Sequence, residues 1–267
     1  MKIRAPYLIL ITSLLFFGSC SKYQRILKST DNNFKYETAL AYYEKKDYYR
    51  ALQLFDQLMP AFKGTEREEK LAYYYGYAYY YQEDYILSGY YFKRFARDYP
   101  SSKFAEECYF MNAYCNYLNS PGTSLDQTSS IDAIREFQTF INKYPTSDRV
   151  NRANELIDKL RGKLETKAFN IGMLYFKTED FRAAIVSFNN LLKDFPETGY
   201  RELTMFHIIK SYSLYAEYSV ASKRAERHQG AIGAYNDFKA LFPDSRYMKD
   251  ATDLVKVSQN FVTNNQD

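Results

Sequence analysis

The chain repeats a short amphipathic unit that no single copy can bury, and this constrains its fold more than any other feature. The clearest copy covers residues 168–198, AFNIGMLYFKTEDFRAAIVSFNNLLKDFPET. It reads as two helices joined by the turn Thr178-Glu179-Asp180 and ended by Pro196. Gly172 on the first helix and Ala184 on the second are small enough to let the two backbones approach. Tyr175, Phe176 and Phe188 supply bulk to fill the space beside them.

Counting back from other prolines exposes the same unit. Pro100 closes a copy with Gly76 and Tyr79 on its first helix and Ser88 and Phe92 on its second. Pro145 closes one with Ala133, Phe137 and Phe140, and Pro243 one with Ala231, Tyr235 and Phe238. A fifth copy near the start carries Ala39, Tyr42, Ala51 and Phe55 but has a degenerate end at Met59-Pro60. This is the antiparallel helical hairpin of a tetratricopeptide-like (TPR-like) repeat. The prolines lie 45, 51 and 47 residues apart, more than the about 34 residues of a bare repeat, so most units carry extra length.

The junctions share one logic. Tyr99-Pro100, Tyr144-Pro145, Phe195-Pro196 and Phe242-Pro243 are each followed within two residues by Ser, Thr or Asp. Proline lacks an N–H and restricts the residue before it, so the outgoing helix stops. The hydroxyl or carboxylate behind it can accept from free N–H groups and start the next helix. The expected fold is all-α: a right-handed superhelical solenoid of about five TPR-like hairpins with a C-terminal capping helix over residues 245–262. Each unit buries its apolar face only against its neighbours.

Residues 1–19 hold Lys2 and Arg4, an apolar run from Tyr7 to Phe17 and then Gly18-Ser19, the layout of a secretory signal. Cys20 directly after Gly-Ser resembles a bacterial lipobox, in which the cysteine is acylated and becomes the mature N-terminus. Phe17 stands where that pattern usually has leucine. The other reading is an ordinary secreted protein with an incidental cysteine. The expected organisation is a lipoprotein signal peptide at 1–19, a lipidated tether at 20–33, units one to three at 34–145, and units four and five with the cap at 146–267.

Charge and chemistry exclude more than they assign. The formal charge of +4 falls to +2 when Lys2 and Arg4 leave with residues 1–19, which argues against a nucleic-acid surface. Cys108 and Cys115 lie seven apart in a helical stretch, about 10 Å along its axis, beyond disulfide reach; they read as buried thiols on one face. A metal site would need more ligands than these and His207 and His228, and none is expected. No Ser/His/Asp order, His-Glu-x-x-His or phosphate loop is present, so no catalytic residue, enzymatic activity or cofactor is expected.

Aromatics are the unusual component: 29 Tyr, 20 Phe and no Trp. In AYYYGYAYYY (72–81), Tyr73, Tyr77, Tyr80 and Tyr81 fall at helical spacings that could line one face, the concave one. Tyrosine offers large rigid contact area plus a hydroxyl, which suits peptide binding. The alternative is that tyrosine replaces Leu and Phe in helix packing. Two insertions lengthen hairpin turns: Asn119–Ser130 reads as a loop, and Glu217–Gln229 could extend its helices. Val150, Ala153, Ile157 and Leu160 make an amphipathic helix, which Gly162 is expected to break or bend.

The lipobox, the five units, the aromatic-Pro junctions and the long turns in units three and five together resemble the BamD family, lipoproteins of the β-barrel assembly machinery. The resemblance covers nearly the whole mature chain and is strongest over NKYPTSDRVNRANELIDKLRGKLETKAFNIGMLYFKTEDFRAAIVSFNNLLKDFPET. It implies an outer-membrane location, lipid-anchored through Cys20 on the periplasmic face. It implies binding to a BamA-like barrel insertase, to other assembly-machinery lipoproteins and to unfolded outer-membrane proteins. The C-terminal units would face the insertase, with Arg182 and Lys193 as charged candidates. The N-terminal units would receive an aromatic-ending client peptide, with Tyr73, Tyr77, Tyr80 and Tyr81 as candidates. Arg182 and Lys193 also read as ordinary solvated charges. Outside the family, the alternatives are a periplasmic TPR lipoprotein binding glycans or peptides, or a generic cell-envelope adaptor; the absence of tryptophan counts against glycans.

Overall fold

A computed structural model describes residues 22–264. The expected signal peptide at 1–19 and Cys20 lie outside the described residues. Among the described residues all regular structure is helical. A first short helix, α1, covers residues 22–27. Five hairpins follow: α2 (Asn32–Glu44) with α3 (Tyr48–Ala61), α4 (Glu66–Tyr81) with α5 (Tyr85–Asp98), α6 (Ala105–Leu118) with α7 (Thr128–Lys143), α8 (Val150–Lys177) with α9 (Phe181–Asp194), and α10 (Arg201–Glu217) with α11 (Ala221–Leu241). The last helix, α12 (Met248–Asn264), packs on α10 and α11 as the expected cap. The chain divides into two compact units, 1–120 with 128–156, and 121–127 with 157–267. The division falls inside α8 rather than at 145.

On the second helices the small-to-aromatic register read from the sequence is the packing register, whereas Tyr175 on α8 is 39% exposed. Ala51, Ser88, Ala133, Ala184 and Ala231 have no exposed surface, and neither do Phe55, Phe92, Phe137 and Phe188; Tyr235 is also buried. The glycines on the opposing helices explain the close approach. A Cβ on Gly172 would sit 2.4 Å from the Phe188 ring, and one on Gly76 2.9 Å from Phe92. Burial is distributed over several small cores, such as Phe92, Phe95 and Cys108 in the first unit and Phe169, Phe188 and Ile208 in the second. This is the signature of stacked repeats, each incomplete without its neighbour.

Three hairpin turns share one geometry. Lys46, Glu83 and Glu179 each take a left-handed conformation with φ near +60°, and each precedes an aspartate (Asp47, Asp84, Asp180) whose side chain accepts from the N–H three residues on. The sharp reversal keeps the helices adjacent. A non-glycine residue in this region is strained by on the order of 1 kcal/mol. Lys46→Gly or Glu179→Gly is therefore expected to raise stability by about 0.5–1 kcal/mol, read as a higher urea midpoint with unchanged slope.

The junction hydroxyls cap as expected: Ser102, Ser147, Thr198 and Ser245 each accept from the N–H two residues on. Three of them do more. Ser102 donates to Glu69, Ser147 to Glu106 and Ser245 to Glu202, at 2.5–2.6 Å. Each ties a junction back to the first helix of the hairpin that it closes.

Two expectations, on Gly162 and on the tether, need amendment. Gly162 does not break α8, which is continuous over 28 residues; a glycine in a helix interior is unfavourable by only about 1 kcal/mol relative to alanine. The insertion in the fifth hairpin extends its helices, as the sequence allows, since only residues 218–220 separate α10 from α11. The stretch expected as a tether is helical over 22–27, and Tyr23 is buried there, donating to the Arg50 carbonyl at 3.0 Å and to Gln53 at 2.8 Å. The stretch after α6 is the expected loop, and it is fastened: Lys163 donates to the Pro121 carbonyl at 2.9 Å and Lys167 to that of Leu125. Cys108 and Cys115 are free and buried, and burial pushes the Cys115 thiol up to about 12.

Candidate functional site

The tyrosine face is built by α4. Helical spacing sets Tyr73, Tyr77, Tyr80 and Tyr81 along one side, and the rings form a continuous ladder: Tyr73 to Tyr77 at 4.9 Å, Tyr77 to Tyr81 at 5.9 Å, and Tyr80 to Tyr81 at 5.5 Å. The four differ in what they leave free. Tyr73 stacks on Phe104 at 4.4 Å and Tyr77 meets Phe92 edge-on at 4.8 Å. Both hydroxyls donate to Glu107 on α6, that of Tyr73 at 3.2 Å. Burial first, and then the Glu107 carboxylate, raise both phenols well above their ordinary range. Tyr80 is partly buried, and Tyr81 is 50% exposed, its ring stacked on Tyr48 at 5.0 Å. Two rings of the ladder thus serve packing, and Tyr81 presents the open edge. Glu107, which gathers Tyr73 and Tyr77, stands out in the sequence only as one half of an acidic pair; its partners lie 30 and 34 residues away.

Arg182 and Lys193 are both exposed on α9. Eleven residues separate them, about 16 Å along the axis. Arg182 lines a groove of about 500 Å³ between α9, α10 and α11, with Val186, Tyr215, Lys223, Glu226 and Arg227 among its walls. Arg227 lies 3.7 Å over the Tyr215 ring, and Lys223 pairs with Glu226 at 3.0 Å. Val186 is 53% exposed. The groove therefore joins an apolar strip to a surplus of positive charge, suited to an acidic surface. Lys193 lies off it. Lys223 and Arg227 come from the fifth-hairpin insertion, where the sequence alone does not fix which way a helix face points.

Behind this groove His207 of α10 is enclosed by aromatic rings, stacked with Phe188 at 5.8 Å and edge-on to Phe176 at 5.1 Å. Its Nδ1 is buried without a partner. Burial, with a smaller push from Lys210, holds its pKa down at about 4. An unfolded histidine protonates near 6.5, so between pH 6.5 and 4 the unfolded state takes up a proton that the folded state refuses. Stability is thus expected to fall by about 2–3 kcal/mol across that window. His228 is shifted in the same direction. His207→Leu should flatten most of the slope, measured by urea midpoints at pH 7 and pH 5.

The YfiO family model, described as an outer membrane lipoprotein, matches residues 28–226. The outer membrane protein assembly factor BamD of Rickettsia prowazekii (strain Madrid E) is 22% identical over 225 residues, covering 84% of this chain and 86% of that one. A putative outer membrane protein assembly factor BamD of Aquifex aeolicus (strain VF5) is 27% identical over 207 residues, covering 77% and 68%. Among solved structures, the TPR2AB domain of yeast Sti1 in its pHSP90 complex aligns with 87% of this chain and 92% of that one, at 12% identity and a TM-score of 0.38.

Proposed function

The chain belongs to the YfiO family of outer membrane lipoproteins, and from that premise we propose that it is a non-enzymatic scaffold in the assembly of outer-membrane β-barrel proteins. The observation that carries this reading is the family match over residues 28–226, joined to relatives named as outer membrane protein assembly factors. The acylated Cys20 holds the chain on the periplasmic face of the outer membrane. The insertase, a BamA-like barrel protein, docks by an acidic surface on the Arg182 groove, with Lys193 as a second charged contact further along α9. Unfolded clients lay an aromatic terminus along the α4 tyrosines, against the open edge at Tyr81. Other assembly lipoproteins join the same complex.

The mechanism asks for no bond chemistry. Two contact faces carried by one chain raise the local concentration of client near insertase, an effect of linkage rather than of new contacts. Depleting the chain from cells should lower the amount of folded, heat-modifiable outer-membrane barrels severalfold while periplasmic proteins are unchanged. Undiminished barrels after depletion would overturn the reading.

A further inference from the structure

A second concave site lies on the opposite side of α4. Taking about 100° per residue, Glu68, Ala72 and Tyr75 point roughly 140–180° away from the mean direction of Tyr73, Tyr77 and Tyr81. There a cavity of about 220 Å³ opens between α3, α4 and α5. Its walls include the rings of Tyr75, Tyr91 and Tyr99 and the carboxylates of Asp56 and Glu68. Tyr75 and Tyr91 meet edge to face at 4.5 Å, forming a corner. Arg94 and Asp98 also line it but are paired with each other at 3.3 Å, and Asp98 holds Arg97 as well.

Asp56 and Glu68 are different. Asp56 accepts from the Tyr75 hydroxyl at 2.5 Å and Glu68 from the Gly64 N–H at 2.6 Å. Among the described residues neither forms an ion pair. Their charge registers on the phenols nearby. Burial and then Glu68 push Tyr99 up to about 12, and burial and then the bond to Asp56 raise Tyr75. The cavity thus offers aromatic rings and two carboxylates outside any ion pair among the described residues, the combination that recognises a partly desolvated organic cation.

We propose that this cleft binds the cationic side chain of an arginine or lysine in an extended segment of a partner protein. The volume suits one long side chain, being equal to roughly seven waters at ~30 Å³ each. A peptide also accounts for the rim. Tyr90 is 58% exposed and touches Tyr91 at 5.2 Å; residues flanking the cation would cover it, and a lone headgroup would not. The site shares no residue with the tyrosine ladder or the Arg182 groove, so it stands or falls apart from the assembly role.

The test uses the mature chain and a fluorescent peptide of three arginines alternating with glycine, beside the same peptide with citrulline, the uncharged isostere. The arginine peptide should bind at least tenfold tighter. Asp56→Asn with Glu68→Gln should remove about tenfold of that affinity, and Tyr91→Leu several-fold, at a melting temperature within a few degrees of the parent. Asn and Gln keep acceptors for the Tyr75 hydroxyl and the Gly64 N–H, so the fold is spared. Equal binding of the two peptides would overturn the proposal, as would arginine binding indifferent to the double substitution. Carboxylate-dependent capture by phosphatidylethanolamine vesicles without peptide discrimination would assign the cleft to lipid and equally overturn it.

Discussion

Phe188→Ala is expected to lower the stability of the C-terminal unit by about 3–5 kcal/mol, the range for truncating a fully buried phenylalanine. The ring has no exposed surface. It fills the hollow over Gly172, touches Phe169 at 6.0 Å between centroids, and stacks on His207. Its loss removes one wall from a small core that has few others to redistribute the strain. The complementary change, Gly172→Ala, places a methyl where the ring now lies and should be unfavourable by about 1–3 kcal/mol. The two are coupled: Gly172→Leu together with Phe188→Ala should be less destabilising than the sum of the single changes, because the new side chain enters the vacated space. Hydrogen exchange over α8 to α10 reads these effects locally. Strict additivity would mean that the glycine and the ring do not share the space assigned to them.

The second large effect concerns anchorage. Cys20→Ser should abolish incorporation of labelled palmitate and deplete the chain from the outer membrane. One acyl chain gives only marginal membrane binding, and each buried CH₂ adds about 0.8 kcal/mol, so losing every acyl chain proposed at Cys20 would remove the proposed anchor outright. No helix among the described residues is long and apolar enough to cross a membrane in its place. A Cys20→Ser protein that stayed in the outer membrane at parental levels would contradict the lipid-anchor proposal.

What the sequence reveals and what it hides divide along physical lines. The Ala184–Phe188 spacing and its four counterparts are legible because a helix face repeats every three to four residues and the partner helix is a short turn away. The aromatic-Pro stops and the hydroxyls behind them are legible for the same reason, being local. Contacts that span a whole repeat are not. Nothing in the neighbourhood of Ser102, Ser147 or Ser245 marks Glu69, Glu106 or Glu202 as partners, and Glu107 finds its two tyrosines only once α4 and α6 are stacked. Gly162 misleads because glycine weakens a helix interior without ending it. The candidate faces are read in outline only. The tyrosine spacing places four rings on one side, but not which of them spend their hydroxyls on packing. Arg182 is visible as a surface cation, but not that Arg227 and Lys223 converge on it from the insertion.

The central claim is that this chain couples to a barrel insertase through its C-terminal unit. Affinity purification of the tagged chain from solubilised outer membranes tests it most directly, run beside the double charge reversal Arg182→Glu, Arg227→Glu. The account predicts that a BamA-like barrel protein co-purifies with the parent chain and is reduced at least tenfold with the variant. Recovery of the parent chain from the outer membrane with no such barrel protein bound would contradict it.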